Sequence, residues 1–214
     1  MLQNKKQDET VEVSVASERA EAYGGVLIAF FAALMAISQL VSGELEEEMM
    51  IAHNKLVNYS SWYQSKSIKE SLKESELDYL EVLLNTDVIS EDKKEVVLKK
   101  IEQTKNKIAK YDAEKKEILF GSSTLPEEKW IQDLDGKLGI ITGVKQWEVL
   151  AEKYDIATRK FDFGVLFFQI SIVLGAVCII IYDNPKFQKT FIVLMIIFGV
   201  IGIALSIYGY TLAP

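Results

Sequence analysis

Residues 22–50 read AYGGVLIAFFAALMAISQLVSGELEEEMM, an apolar run that leads directly into a cluster of glutamates. Only Ser38, Gln39 and the terminal Ser42 interrupt the run. A helix rises 1.5 Å per residue, so about 20 such residues cross a hydrocarbon core of roughly 30 Å. We therefore predict a first transmembrane helix over residues 22–43.

Two further apolar runs lie near the end of the chain, over residues 164–182 and 190–210. They are joined by DNPKFQK, residues 183–189, whose proline fits a tight connection and whose polar side chains are too costly to keep in lipid. The sequence thus predicts an all-α membrane protein with three transmembrane helices.

The first run differs from a cleaved signal peptide, which has a short basic start and an apolar stretch of about 7–15 residues. Here 21 residues precede the run, and their acidic side chains outnumber their basic ones. We expect an uncleaved anchor that follows a polar N-terminal tail, residues 1–21.

Charge is concentrated in the middle of the chain, where 44 of the 55 acidic and basic residues lie between Glu44 and Asp162. The net charge of −7 includes no basic block, so nucleic-acid binding is not expected. Cys178 is the single cysteine, so the chain forms no internal disulfide. The pattern predicts two apolar ends around a water-facing segment, residues 44–163.

Helical spacing dominates this middle segment. Ser90, followed by two acids, is typical of a helix start. Seven residues after it recur in alternating steps of four and three, which predicts a heptad seam that pairs with another helix: Val97, Ile101, Thr104, Ile108, Tyr111, Lys115 and Ile118. We predict that this helix ends at Gly121, and that a last helix starts near Gly143 and continues without a break into the second span.

The first span also continues outward as a helix. One apolar stripe consists of Leu45, Met49, Ala52, Leu56, Tyr59 and Tyr63, and a shifted stripe continues it through Ile68, Leu72, Tyr79 and Leu83. The ascending and returning helices predict a long, coiled-coil-like extramembrane hairpin between the first and second spans.

The returning segment contains more residues than a straight helical path back to the membrane requires. We therefore expect residues 121–144 to fold aside as a small elaboration. Thr124-Leu125-Pro126-Glu127 matches a capping box. It predicts a short helix through Trp130 and Leu134 that stops at Gly136.

Two stretches carry a family resemblance: HNKLVNYSSWYQSKSIKESL, residues 53–72, and KFDFGVLFFQISIVLGAVCIII, residues 160–181. They resemble the bacterial membrane proteins grouped as domain of unknown function 4337. The signature of that family is matched here by Trp62, Tyr63, Gln64, Ser65, Lys66, Ser67, Ile68 and Lys69. The resemblance implies a bacterial membrane location and this architecture, and it implies no activity.

The signature segment has two interpretations. Trp62 and Tyr63 lie about 28 Å past the first span at helical rise, too far for a headgroup belt. We expect them to contact aromatic side chains of the returning helix, with Trp147 and Tyr154 as partners. A ligand site is the alternative, because Gln64, Lys66 and Lys69 lie on other faces of the same turns.

Other chemistry is weakly indicated. His53 is the only histidine and has no ligand spacing around it, so no metal site is predicted. We find no nucleophile elbow, glycine-rich phosphate loop or paired acids, so we predict neither catalytic nor cofactor-binding residues and no enzyme. The glutamates at positions 44, 46, 47 and 48 are most simply hydrated, although in a ring of subunits they could attract cations.

Small residues mark the packing faces of the spans. In the third span Gly199, Gly202, Ser206 and Gly209 recur in steps of three and four, and the second span has Ser171 and Gly175. Such faces allow backbones to approach closely, within a chain, between chains, or both.

An intramembrane polar layer is also predicted. Gln39, Gln169 and Ser206 lie at similar depth, about 6–9 Å from the hairpin-side ends of the spans. We expect the two glutamines, from one chain or from neighbouring chains, to turn inward and hydrogen-bond, with Ser206 close by. The alternative is that each amide snorkels to the headgroups.

These features predict an integral protein of the bacterial inner membrane that self-associates and presents its hairpin to a protein partner. The alternative function is an oligomeric ion or small-solute channel lined by the third span or the glutamate cluster. Basic residues on the two sides are nearly balanced, and we expect the tail and short loop in the cytoplasm and the hairpin outside.

Overall fold

The computed structural model describes residues 2–86, 89–181 and 184–214, and of residues 2–16 and 185 it describes the backbone alone. Within these ranges the chain is all-helical, as predicted. The α-helices are α1 (Leu2–Asn85), α2 (Glu91–Phe120), α3 (Val144–Ile180) and α4 (Pro185–Leu212), and two short 3-10 turns cover Ser122–Thr124 and Glu127–Lys129. The predicted N-terminal tail thus belongs to α1.

Three helices are long and apolar enough to cross a membrane: α1, α3 and α4. The first two predicted spans lie inside longer helices, because α1 continues past Ser42 to Asn85 and α3 begins at Val144. No proline lies where charge replaces apolar residues, and Gly43 and Gly164, which do lie there, are accommodated inside the helices.

The chain divides into two compact units. The span unit comprises Met1–Met49 and Glu152–Pro214, and the charged unit comprises Met50–Ala151. Helices α1 and α3 each contribute to both units.

Close contacts between aromatic rings and glycines hold the span unit together. Phe31, Phe168 and Met195 form its buried centre, with the two rings stacked at 6.3 Å between centroids. A Cβ added to Gly199 would overlap the ring of Phe31, and one added to Gly202 would lie 2.9 Å from the ring of Phe168. The rings therefore occupy the space that side chains on α4 would otherwise fill.

The small-residue face of α4 consequently lies inside its own chain. A Cβ at Gly209 would lie 3.0 Å from Phe161, and Ser206 lies against Gly164 of α3, where a Cβ would be 2.5 Å from the serine Oγ. On α3, Ser171 is buried and donates to the carbonyl oxygen of Met195. Of the alternatives left open by the sequence, packing within the chain is the one observed.

The predicted glutamine layer is not formed within one chain. Gln39 and Gln169 are both exposed, whereas the preceding residues, Ser38 and Phe168, are buried. One residue turns a helix by about 100°, so a register in which Ser38 and Phe168 face inward directs both glutamines outward. The polar contact that does form joins the hydroxyls of Ser38 and Ser206 at 3.1 Å.

In the charged unit, all seven residues of the predicted α2 seam are buried or half-buried. Helix α2 starts after Ser90, although the Ser90 hydroxyl makes no capping hydrogen bond. It ends before Gly121, whose φ of +89° favours glycine.

The short helix predicted through Trp130 and Leu134 is reduced to the 3-10 turn Glu127–Lys129. The buried carboxylate of Glu117 accepts hydrogen bonds from the backbone N–H groups of Ile131 and Gln132, at 2.8 and 2.7 Å, and from the Ser122 hydroxyl at 2.7 Å. These N–H groups bond to a side chain instead of to a helical carbonyl. The Thr124 hydroxyl, predicted as a cap, donates backward to the carbonyl oxygen of Phe120.

We predict that Gly199→Ala destabilises the span unit. Overpacking a filled site costs typically about 1–3 kcal/mol, and the Phe31 ring has little freedom to move aside. The measurement is the unfolding of the full chain by denaturing detergent, followed by circular dichroism.

Gly25→Ala is the matched control, because it lies in the same membrane-spanning region and a Cβ there meets nothing within 4 Å. Alanine favours helix by about 1 kcal/mol over glycine, so this variant should be as stable as the native chain or more so. Equal stability of the two variants would contradict the packing described for Phe31 and Gly199.

Candidate interaction site on the signature segment of α1

The signature residues, Trp62 to Lys69, lie on the part of α1 that belongs to the charged unit. Their aromatic side chains face inward. The half-buried Trp62 ring stands edge-on to Tyr59 at 5.7 Å between centroids, and Tyr59 lies 6.4 Å from the ring of Trp147. Burial raises the pKa of Tyr59. Trp147, expected as a partner of Trp62 and Tyr63, makes its ring contact with Tyr59.

Lys66 also faces inward. Its ammonium donates to Oε2 of Glu114 at 2.7 Å, and the two side chains are 13% and 6% exposed. The same nitrogen lies 5.9 Å from the centre of the Tyr111 ring, within cation–π range. Lys66 is thus a bracing residue between α1 and α2 rather than a free ligand-binding cation.

Further ion pairs repeat this cross-linking along the two helices. Glu70 pairs with Lys115, and that hydrogen bond is the main reason why the pKa of Lys115 is raised. Farther along, Glu76 lies 3.4 Å from Lys100, and Glu81 lies 3.0 Å from Lys105. Lys66 and Glu70 of α1 meet residues 114 and 115 of α2, whereas the later Glu76 and Glu81 meet residues 100 and 105. The two helices are therefore antiparallel where they pair.

Three of the four residues in the shifted stripe predicted for α1 lie on its outer side. Ile68, Leu72 and Tyr79 are exposed, and only Leu83 is half-buried. The five-residue step from Tyr63 to Ile68 turns the helix by 500°, which is 140° past a full turn and moves the stripe off the inner face. The inner face is continued instead by polar residues such as Lys66 and Glu70, which a search for apolar periodicity passes over.

Six strongly exposed apolar residues of α1 in the charged unit line up along the opposite side of the helix. We call this line the outer stripe: Met50, Val57, Ile68, Leu72, Tyr79 and Val82, each between 60% and 64% exposed. Uncharged polar residues fill the gaps between them: Asn54, Ser61, Gln64 and Ser75. Beside Ile68 and Leu72 lies a groove of about 270 Å³ whose other lining residues are Ser67, Ser71 and Ser75.

The remaining polar candidates lie at the surface. Gln64 and Lys69 of the signature are exposed, as are His53 and the glutamates at positions 44, 46, 47 and 48. Among the residues that the structure describes, no three His, Cys, Asp or Glu side chains come together in a group that could hold a metal ion.

The structure defines the class as an all-helical protein with three candidate membrane spans. The chain belongs to the family described as domain of unknown function 4337 (DUF4337), whose model matches residues 20–212, nearly the whole sequence. The resemblance carried by the signature is thereby confirmed. No curated protein and no solved structure matches the chain.

We predict that Lys66→Ala lowers the free energy of unfolding of the charged unit by about 1–3 kcal/mol, because it leaves the buried Glu114 carboxylate without its closest cation. Chemical denaturation followed by tryptophan fluorescence measures the change.

Lys69→Ala is the matched control, since Lys69 is an exposed lysine of the same signature. Its removal should alter the stability by less than about 0.5 kcal/mol. If both variants lose the same stability, the inward role of Lys66 is wrong.

Proposed function

We propose that this protein is an integral membrane scaffold that self-associates and presents an extramembrane helical hairpin to a protein partner. The observation that carries the proposal is the contrast between the two sides of α1 in the charged unit. Its inner side is braced to α2 by ion pairs, and its outer side exposes a continuous apolar stripe. A rigid helix with an uncovered apolar face suits protein contact.

Several features support the hairpin. The charged unit holds most of the charged residues of a chain with three candidate spans, so water is its favourable environment. Antiparallel pairing of α1 with α2 then gives a hairpin outside the membrane. Family membership and the apolar spans support placement in a bacterial inner membrane.

The channel alternative is less favoured. A pore-lining helix should show a polar stripe toward water, whereas the small-residue face of α4 contacts Phe31 and Phe168. The exposed glutamates at positions 44, 46, 47 and 48 are still most simply interpreted as hydrated side chains. They could line a pore only in a ring of subunits.

We predict that the purified protein in mild detergent has a protein mass that is a multiple of the 24.2 kDa chain. Light scattering corrected for bound detergent measures it. Reconstituted in liposomes, it should conduct ions no faster than empty liposomes. A mass of one chain would contradict self-association, and a protein-dependent ion flux would favour the channel.

We also predict that the hairpin lies outside the cytoplasm. In a Cys178→Ala background, Asn106→Cys on the exposed surface of α2 should react with an impermeant thiol reagent in intact spheroplasts. Lys186→Cys at the opposite ends of the spans is the matched control and should react only after lysis. The reverse pattern would show that the orientation is inverted.

A further inference from the structure

The outer stripe is unusual in this chain because it carries no charge. Lysine, arginine, aspartate and glutamate make up 26% of the sequence, and the exposed side of α2 includes Lys99, Glu102 and Lys107. Along α1, by contrast, ten consecutive stripe positions from Met50 to Val82 are all uncharged. A face that only met water would not need to exclude charge.

Spacing gives the stripe the form of a helix-pairing seam. Its positions step by 4, 3, 4, 3, 4, 4, 3, 4 and 3 residues: 50, 54, 57, 61, 64, 68, 72, 75, 79 and 82. This is a heptad pattern with one extra step of four between Ile68 and Leu72. Over 33 residues the seam is about 50 Å long, which exceeds four heptads and suits a paired helix.

We propose that the outer stripe is the surface through which two copies of this chain pair, with their α1 helices parallel and in register. This deepens the proposed function by naming the face and the occupant of the self-association. Two copies inserted into one membrane share one orientation, so a two-fold axis normal to the membrane brings identical α1 positions together.

The chemistry of the stripe is self-complementary. When a residue meets its own copy, a lysine or glutamate repels its partner, whereas an apolar or neutral polar side chain does not. Gln64 lies at mid-stripe, and its amide has both donor and acceptor atoms, so two copies can hydrogen-bond to each other. One polar residue within such a seam fixes the register of the pair.

The groove beside Ile68 and Leu72 fits the same arrangement. Its serines at positions 67, 71 and 75 are small and repeat every four residues, which leaves room next to the two apolar side chains. In a parallel pair, the apolar side chains of one copy enter such a space on the other, as knobs enter holes.

The outer stripe is a better candidate for association between copies than the small-residue face of α4. The small-residue face of α4, which the sequence also allowed as an oligomer interface, is filled by Phe31, Phe161 and Phe168 of the same chain. Association through that face would require the bundle to open, whereas the outer stripe is already uncovered.

The first test uses the full chain in lipid nanodiscs, in a Cys178→Ala background with Gln64→Cys. Mild oxidation should give a disulfide-linked species with the mass of two chains. Asn106→Cys, at an exposed position of α2, is the matched control and should give at least about tenfold less of that species, because its sulfurs lie beyond disulfide reach.

The second test replaces stripe residues in the native chain. Ile68→Glu with Leu72→Glu places like charges opposite one another and should weaken pairing by about 100-fold or more. Val96→Glu with Leu98→Glu, two exposed apolar residues of α2, is the control and should leave pairing unchanged. Sedimentation in detergent measures the mass, and circular dichroism shows whether each variant stays helical.

The outcomes separate the two levels of the proposal. A multimeric native protein with no Gln64→Cys cross-link, or with an unaffected stripe variant, overturns the outer stripe and leaves self-association standing. A native protein of one chain with no cross-link overturns both. If the same Gln64→Cys variant, oxidised in its native membranes, cross-links to a different protein instead of to a second copy, the stripe belongs to another partner and pairing between copies is overturned.

Discussion

The ring of Phe31 occupies the space that any side chain at position 199 would need. The packing of the span unit depends on this contact between a large residue on α1 and a glycine on α4. Lipid offers no hydrophobic driving force for helices to associate, so their contact depends on close van der Waals packing. Glycines on α3 and α4 admit aromatic rings and backbone carbonyls at contact distance, and the hydroxyls of Ser38 and Ser206 add a hydrogen bond between α1 and α4.

The charged unit is held together differently, because ionic contacts accompany the apolar ones between its paired helices. Buried or half-buried ion pairs such as Lys66 with Glu114 supply the links between α1 and α2. Glu117 orders the following segment by accepting hydrogen bonds from the N–H groups of Ile131 and Gln132. Because Lys66 and Glu70 take the inward positions on the turns around Ile68 and Leu72, those two apolar residues remain on the outer side, which connects the fold to the proposed association.

Sequence periodicity predicted which residues share a face more reliably than it predicted what that face contacts. The α2 seam from Val97 to Ile118 is buried as expected, and the small face of α4 is a packing face. Gln39 and Gln169 lie on the outside of their own chain because a rotation of one residue, about 100°, separates an inward position from an outward one. The shift to Ile68 and Leu72 was visible in the sequence, but the ion pairs of Lys66 and Glu70 that hold the inner side there were not. The role of Glu117 could not be predicted from neighbouring sequence, since the backbone N–H groups that it binds lie 14 and 15 residues later.

The central claim is that the small-residue face of α4 closes the bundle within one chain and leaves α1 to contact other copies. A chain with Ser38→Cys, Ser206→Cys and Cys178→Ala tests it directly, because the native hydroxyls are 3.1 Å apart. Oxidation in membranes followed by non-reducing electrophoresis should give a faster-migrating species with the mass of one chain, in which the two cysteines are joined internally. A disulfide-linked species of two chains at these positions, with no internal bond, would contradict the account.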